Sequence, residues 1–221
     1  MELEPRLIDV STPRRARGVV IVLHGGASRR RTMAVSPSQL SVLRMVPIAH
    51  RIANARRHDL AVFRLLNSRR GWDTAPTPLN DVRWALGQAE ARLGRRLPVC
   101  LVGHSLGGRA ALLGAGQPSV RGAVALAPWV MTSDSPRGDI AGKPILIVHG
   151  SEDRVASPGR AAQLARRLQT RADVSFVVVK GAGHSMLRHH DEFSRLAADF
   201  TTKTLLDPNH ANPRALNLPG R

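Results

Sequence analysis

The chain has 221 residues, enough for one domain with a sizeable core, and its formal net charge is +17. Its one cysteine, Cys100, excludes an intrachain disulfide, and no apolar run approaches the ~20 residues that a membrane-spanning helix needs. The first residues are acidic and lack the apolar core of a signal peptide. We therefore expect a cytoplasmic protein with no membrane span.

Apolar runs alternate with helical patterns along the chain. The runs predict strands near 6–10, 19–23, 59–65, 98–102, 122–127, 144–149 and 174–179. The helical patterns fall near 38–56, 78–93, 105–115, 159–169 and 189–205. This alternation predicts a mainly parallel central sheet with helices on both faces, as one domain over 1–205. Residues 206–221 read as a loose C-terminal tail. The charged face of helix 78–93 is predicted to lie at the surface, with Asp81, Arg83, Glu90 and Arg92.

A serine stands between the strand near 98–102 and the helix near 105–115, in the sequence Gly-His-Ser-Leu-Gly at 103–107. Strand, G-x-S-x-G and helix together are the context of a nucleophile elbow. There the serine adopts a strained backbone conformation that points its hydroxyl out of the sheet, and glycines on both flanks avoid a collision with the turn. Ser105 is the candidate nucleophile.

A serine hydroxyl needs a base to take its proton and a third group to orient that base. The strand near 144–149 runs into His-Gly-Ser-Glu-Asp, and the strand near 174–179 runs into Lys-Gly-Ala-Gly-His. Both segments place a suitable residue at a strand end, in the chain order serine, acid, histidine. Asp153 and His184 are therefore the candidate acid and base.

Other residues could fill these two roles. Glu152 adjoins Asp153, and Asp134 follows the strand near 122–127, but only Asp153 stands in an H-G-x-x-D segment. Histidines that precede glycines at strand ends most often bond loop backbone, and those that begin the last helix are expected to face solvent. These competing histidines are His24 and His149 in the first group and His189 and His190 in the second. No H-x-x-x-H or H-E-x-x-H spacing occurs, so we expect no metal or cofactor.

Residues 18–200, through these segments, resemble the α/β-hydrolase family and specifically its compact serine esterase and dienelactone-hydrolase-like branch. The resemblance implies the α/β-hydrolase fold. It also implies an oxyanion hole made by the backbone N–H groups of Leu106, after the nucleophile, and Gly26, after the strand near 19–23. True dienelactone hydrolases use a cysteine where this chain has Ser105, so their substrate does not carry over. The segment at 24–27 is H-G-G-A rather than the H-G-G-G of a lipase subgroup.

The connection 128–143 is where such folds insert a cap, and here it is too short for a helical lid. We therefore expect little or no cap domain and an open site. Candidate pocket residues adjoin the elbow, the oxyanion segment, this connection and one further strand-end loop: His104, Ala27, Trp129, Met131 and Trp72. For the last three, local hydrophobic packing is the alternative.

All but three of the 33 basic residues are arginine. Nucleic-acid binding is not expected, because the arginines are scattered over nearly every helix and loop and few aromatic side chains are available for base stacking. Seven arginines follow strands on the edge that carries the candidate catalytic groups: Arg29, Arg30, Arg31, Arg69, Arg70, Arg154 and Arg188. They suggest an anionic substrate, such as a carboxylated ester or a phosphopantetheine thioester, and solvated charge is the alternative.

The residues thus predict a serine hydrolase that cleaves a carboxylic ester or thioester through an acyl-enzyme. The same triad could transfer acyl groups or support perhydrolysis. A non-catalytic basic binding protein on the same fold is the alternative from another class. Cys100 lies in the strand before the elbow, where a buried filler is favoured over a reactive thiol.

Overall fold

The structure, a computed structural model, describes residues 4–26, 34–71 and 77–207. Within these residues seven strands form one sheet: β1 (Arg6–Ser11), β2 (Gly18–Leu23), β3 (Leu60–Leu66), β4 (Val99–His104), β5 (Val120–Leu126), β6 (Pro144–Gly150) and β7 (Asp173–Val179). The helices are α1 (Leu40–Leu43), α2 (Val46–Ala55), α3 (Thr77–Leu93), α4 (Leu106–Gly114), α5 (Pro158–Leu168) and α6 (His190–Leu206). A short 3₁₀ turn, Leu187–His189, precedes α6.

The strands are ordered β1-β3-β2-β4-β5-β6-β7. β1 pairs with β3 in the antiparallel sense, and every other neighbouring pair is parallel. The order reverses at β2, which has β3 on one side and β4 on the other. In an open parallel sheet such a reversal leaves a crevice at the carboxyl ends of the strands. The loops after β2 and β4 both open into that crevice.

Alternating side chains of the strands build two cores, one on each face of the sheet. Val19, Ile21 and Leu23 of β2 join the core beneath α3, α4 and α5. Val20 and Val22 join the core beneath α2 and α6. Strands buried on both faces read as continuous apolar runs, which is why the sequence located them well. The predicted mainly parallel sheet with helices on both faces is confirmed.

Two predictions about the helices are wrong. The single helix expected near 38–56 is two, because Pro47 has no N–H to continue the first helix and instead begins α2. Arg44 and Met45 form the break between α1 and α2. Asp81, expected on the exposed face of α3, is buried and accepts hydrogen bonds from the backbone N–H of Ser68, at 2.9 Å, and from its hydroxyl.

The connection between β5 and β6, residues 128–143, contains no helix, so no cap is inserted there. None of the helices within the described ranges has the length and hydropathy that crossing a bilayer requires. The predicted tail over 206–221 falls outside the described residues from position 208 onward.

The glycines that flank Ser105 give the first prediction. A Cβ on Gly107 would lie 2.5 Å from the carbonyl oxygens of Leu23 and His24, which are backbone atoms of β2 and its loop. A Cβ on Gly87, in the exposed face of α3, would meet nothing within 4 Å. We expect Gly107→Ala to lower the free energy of unfolding by about 2 kcal/mol or more, and Gly87→Ala to raise it by about 0.5–1 kcal/mol. Urea unfolding of both variants measures this. Equal changes in the free energy of unfolding would contradict the close packing of Gly107 against β2.

Candidate active site

The backbone of Ser105 lies in a conformation that non-glycine residues rarely adopt, with φ 56° and ψ −118°. Three backbone hydrogen bonds hold it there. The Ser105 N–H donates to Leu126 O at 3.0 Å, and the Ser105 carbonyl accepts from the N–H groups of Arg109, at 3.0 Å, and Trp129, at 3.1 Å. The strain expected of an elbow is therefore present, and it is fixed by β5 on one side and by α4 on the other.

Ser105, His184 and Asp153 are brought together from three separate strand ends. Ser105 Oγ lies 3.0 Å from Nε2 of His184, and His184 Nδ1 lies 2.9 Å from Oδ2 of Asp153. The side chain of Asp153 is fully buried, whereas that of His184 is 15% exposed at the pocket. A carboxylate partner at Nδ1 fixes the proton there and leaves Nε2 free to accept from the serine hydroxyl.

Asp153 is surrounded by hydrogen-bond donors. Oδ2 receives His184 and also His149 Nε2, which lies 3.1 Å away. Oδ1 accepts the backbone N–H groups of Val155, at 2.9 Å, and Ala156, at 2.8 Å. Burial alone would raise the pKa of Asp153, but these hydrogen bonds, those from the two histidines above all, outweigh it and hold the pKa below its usual range. The carboxylate therefore stays ionised and in one orientation.

His104, next to Ser105, contacts both the backbone and the ring of His184. Its Nε2 donates to the backbone oxygen of His184 at 2.9 Å, and the two ring centroids are 4.9 Å apart. Burial, reinforced by His184 and Arg44, lowers the pKa of His104 to about 3. His104 is therefore a neutral wall of the site at physiological pH.

The competing residues have other partners. His24 bonds the backbone of Gly25 and Asn67, as expected for a histidine at a strand end. Asp134 makes a two-pronged ion pair with Arg109, at 2.8 and 2.7 Å, and accepts the N–H of Met131. This pair fastens the 128–134 loop to α4, and the Arg109 guanidinium lies 5.9 Å from the centroid of the Trp129 ring.

The remaining competitors lie in different settings. Glu152 is exposed beside the buried Asp153. His189 and His190 are half-buried at the start of α6, which corrects the expectation that they face solvent. His190 lies beside α2, where its Nε2 is buried.

A pocket of about 420 Å³ opens at Ser105. Its lining comprises Gly25, Gly26, Ser41, Arg44, His104, Ser105, Leu106, Trp129, Val155 and His184. Of the expected pocket residues, His104 and Trp129 line it, whereas Met131 is exposed and does not. Ala27 and Trp72, like the basic run 29–31, lie outside the described residues. Ser41, Arg44 and Val155 also line the pocket, and the sequence did not predict them.

None of the described arginines that the sequence placed near the site lines the pocket at Ser105. Arg69, Arg154 and Arg188 are exposed, and Arg70 is half-buried with its carbonyl against Gly26. Arg154 lines a second, smaller pocket of about 310 Å³ that Trp129 also lines. In the described part of the chain no group of three histidine, cysteine or acidic side chains is arranged to hold a metal ion.

Cys100 lies in β4, directly behind the elbow, and is fully buried. Burial raises the pKa of its thiol to about 12, so the reactive thiolate does not form at neutral pH. Its sulfur is part of the core shared with α6. This is the filler role expected for it.

The sheet order, with a strained serine between β4 and α4, is that of the α/β-hydrolase fold. The profile of the dienelactone hydrolase family matches residues 57–205. The chain therefore belongs to the dienelactone hydrolase family and is a hydrolase. Comparison with curated proteins finds no significant match.

Solved structures agree with this fold. A serine hydrolase homologue from Coxiella burnetii is 18% identical with a TM-score of 0.65, covering 89% of this chain and 90% of that chain. A dienelactone hydrolase from Anabaena variabilis is 18% identical with a TM-score of 0.65, covering 93% and 100%. A lidless α/β serine hydrolase from Xanthomonas campestris is 18% identical with a TM-score of 0.63, covering 95% and 90%. The resemblance drawn from the sequence, and the fold with little or no cap, are confirmed.

The buried His104 gives a pH prediction. Its pKa is about 3 when folded against an ordinary 6.5, so between these values the unfolded chain binds more protons. Neutral His104 therefore makes its full contribution to the free energy of unfolding above pH 6.5. Below pH 6.5 that free energy falls by up to about 1.4 kcal/mol per pH unit. We expect the free energy of unfolding to decline less steeply from neutral pH toward pH 4 in His104→Gln than in the wild type. His58→Gln, at an exposed turn, is the matched control, and parallel curves for wild type and His104→Gln would contradict this.

Proposed function

We propose that the protein is a serine hydrolase that cleaves a carboxylic ester or thioester through an acyl-enzyme, with Ser105 as nucleophile, His184 as base and Asp153 as acid. The observation that carries this proposal is the continuous hydrogen-bond chain. It runs from Ser105 Oγ to His184 Nε2, at 3.0 Å, and from His184 Nδ1 to Asp153 Oδ2, at 2.9 Å. A base within hydrogen-bond reach, itself held by a buried carboxylate, is what a serine needs to attack a carbonyl.

The reaction proceeds in two halves. His184 takes the Ser105 proton as Oγ adds to the carbonyl carbon, and then gives that proton to the departing alcohol or thiol. Water, activated by the same imidazole, attacks the acyl-enzyme and releases the acid. Asp153 stays ionised throughout and stabilises the imidazolium that forms twice in each cycle.

Two backbone N–H groups are proposed to stabilise the oxyanion. Leu106 begins α4, and the N–H groups of a helix's first turn have no partner inside the helix. Gly26 lines the pocket opposite, and a Cβ there would lie 2.2 Å from Arg70 O, so the site requires glycine. Removing one such donor typically costs about 3–4 kcal/mol of transition-state stabilisation.

Ester or thioester hydrolysis is favoured over peptide or amide cleavage because the 128–143 connection adds no substrate-gating unit and leaves the pocket open to small substrates. An alcohol or peroxide acceptor entering the same pocket would give acyl transfer or perhydrolysis instead. Product analysis with added methanol or hydrogen peroxide separates these outcomes.

The serine is tested by fluorophosphonate labelling of the purified protein, read by intact mass and peptide mapping. We expect one adduct, on Ser105, that is absent in Ser105→Ala and His184→Ala and slowed by about 10⁴-fold in Asp153→Asn, the effect of presenting the wrong histidine tautomer. Asp134→Asn, which removes another buried carboxylate, is the matched control and should be labelled at close to the wild-type rate. No adduct on folded wild-type protein would overturn the proposal and favour a non-catalytic binding protein.

The substrate is proposed to be anionic. Arg44 is the one lysine or arginine among the described residues that line the pocket, and none of those residues is acidic. Its Nε is buried, with no hydrogen-bond partner in the described part of the chain, and burial lowers the pKa of its guanidinium. An arginine at the pocket with no carboxylate beside it among these residues suits a substrate that brings its own.

This proposal is tested with a matched pair of esters, para-nitrophenyl hydrogen glutarate and the neutral para-nitrophenyl pentanoate. We expect Arg44→Met to lower kcat/KM about tenfold or more for the glutarate, the value of one charged hydrogen bond, and to leave the pentanoate nearly unchanged. Arg188→Met, at an exposed arginine, is the control and should change neither. Equal loss on both esters would show that Arg44 shapes the pocket and does not recognise charge.

A further inference from the structure

A second histidine, His149, contacts the proposed catalytic acid. His149 lies near the end of β6, and its side chain is completely buried. Its Nε2 is 3.1 Å from Oδ2 of Asp153 and 3.2 Å from the carbonyl oxygen of Ala156. Both neighbours are acceptors, so Nε2 carries the hydrogen. Its Nδ1 is buried and has no hydrogen-bond partner within the described residues.

The N–H groups of His184 and His149 both reach one oxygen of the Asp153 carboxylate, and the N–H of His149 is shared with the carbonyl oxygen of Ala156. Oδ2 of Asp153 receives His184 at 2.9 Å and His149 at 3.1 Å, while Oδ1 receives two backbone N–H groups of the following turn. Four donors saturate the carboxylate and stop it from rotating. The two histidines approach from different strands, because His149 ends β6 and His184 follows β7.

We infer that His149 is a positioning residue for the triad: it holds the Asp153 carboxylate and takes up part of its negative charge, and so sets how strongly Asp153 stabilises protonated His184. This inference rests on the proposed function, because it assigns a role only if His184 acts as the base. His149 itself touches neither Ser105 nor the pocket.

The sign of the effect follows from charge. An imidazole N–H on Oδ2 draws electron density from the carboxylate and weakens its pull on the imidazolium of His184. Without His149 the carboxylate would hold the proton on His184 more firmly. The base would then become available only at higher pH, and the acidic limb of the rate profile would move upward. The carboxylate would also lose one of its four anchors, which lowers the plateau rate.

The other charged and titratable groups around this pair must stay constant in the test. His104 packs on His184 from the end of β4, and Arg44 acts on His104 from the turn between α1 and α2. Neither contacts Asp153 through a hydrogen bond. Substitution at position 149 leaves both in place.

The experiment compares His149→Phe, which keeps the ring shape and removes the donor, with His149→Gln, whose amide N–H falls near the position of Nε2. Thr201→Val, a buried polar site on α6 remote from the triad, controls for general destabilisation. The second-order rate of fluorophosphonate inactivation is measured from about pH 5 to about pH 9, which needs no knowledge of the natural substrate. Thermal unfolding is recorded for each variant.

For His149→Phe we expect the acidic limb to move up by about 0.5–1 pH unit and the plateau to fall about tenfold, the value of one charged hydrogen bond. His149→Gln should restore most of both, and Thr201→Val should leave the limb in place whatever its melting temperature. A limb that does not move in folded His149→Phe overturns the inference. If His149→Phe does not fold, His149→Met, which also lacks the donor, takes its place: a limb that moves upward supports the inference, and an unmoved limb in the folded variant overturns it. Wild-type protein that fails to react at Ser105 would instead reject the proposed function.

Discussion

The close approach of α4 to the end of β2 is the constraint on which the site depends. Gly107 in the first turn of α4 sits against the last carbonyls of β2, and Gly103 at the end of β4 sits against Gly107, where a Cβ would lie 2.1 Å from its carbonyl oxygen. Only with both side chains absent can the chain reverse within two residues. The reversal forces the positive φ of Ser105 and brings its hydroxyl to the loops after β2, β6 and β7. The tertiary packing of the rest of the sheet offsets the cost of that strained residue.

Around this turn the buried charges are balanced locally. Asp153 is ionised because donors surround it, and Asp134 is matched by Arg109 with two hydrogen bonds. Each of these two carboxylates fixes a loop: Asp153 holds the turn that follows it, and Asp134 holds the 128–134 loop that carries Trp129 of the pocket wall. Arg44 differs from both because it is half-buried and its Nε has no hydrogen-bond partner within the described residues. An arginine edge that no described group binds therefore lines the pocket.

The sequence was sufficient for features that are encoded locally. Buried strands are continuous apolar runs, and each predicted catalytic residue follows such a run, so their positions could be found without knowing the topology. Arg44 could not be found in this way, because the helix break that turns it into the pocket depends on Pro47 and on the burial of Met45 in the core. The burial of Asp81 and the exposure of Met131 likewise depend on tertiary contacts, which the local sequence pattern does not predict.

The buried thiol of Cys100 can report on local opening of the protein core. The thiol lies in the central strand β4, behind the elbow, with no exposed surface, and its pKa is raised to about 12. Alkylation therefore requires that the core between β4 and α6 first open. The rate at which a thiol reagent modifies the native protein measures the free energy of that opening. Because the sequence holds a single cysteine, the signal belongs to one strand, and ligands that bind the pocket should slow it in proportion to their affinity.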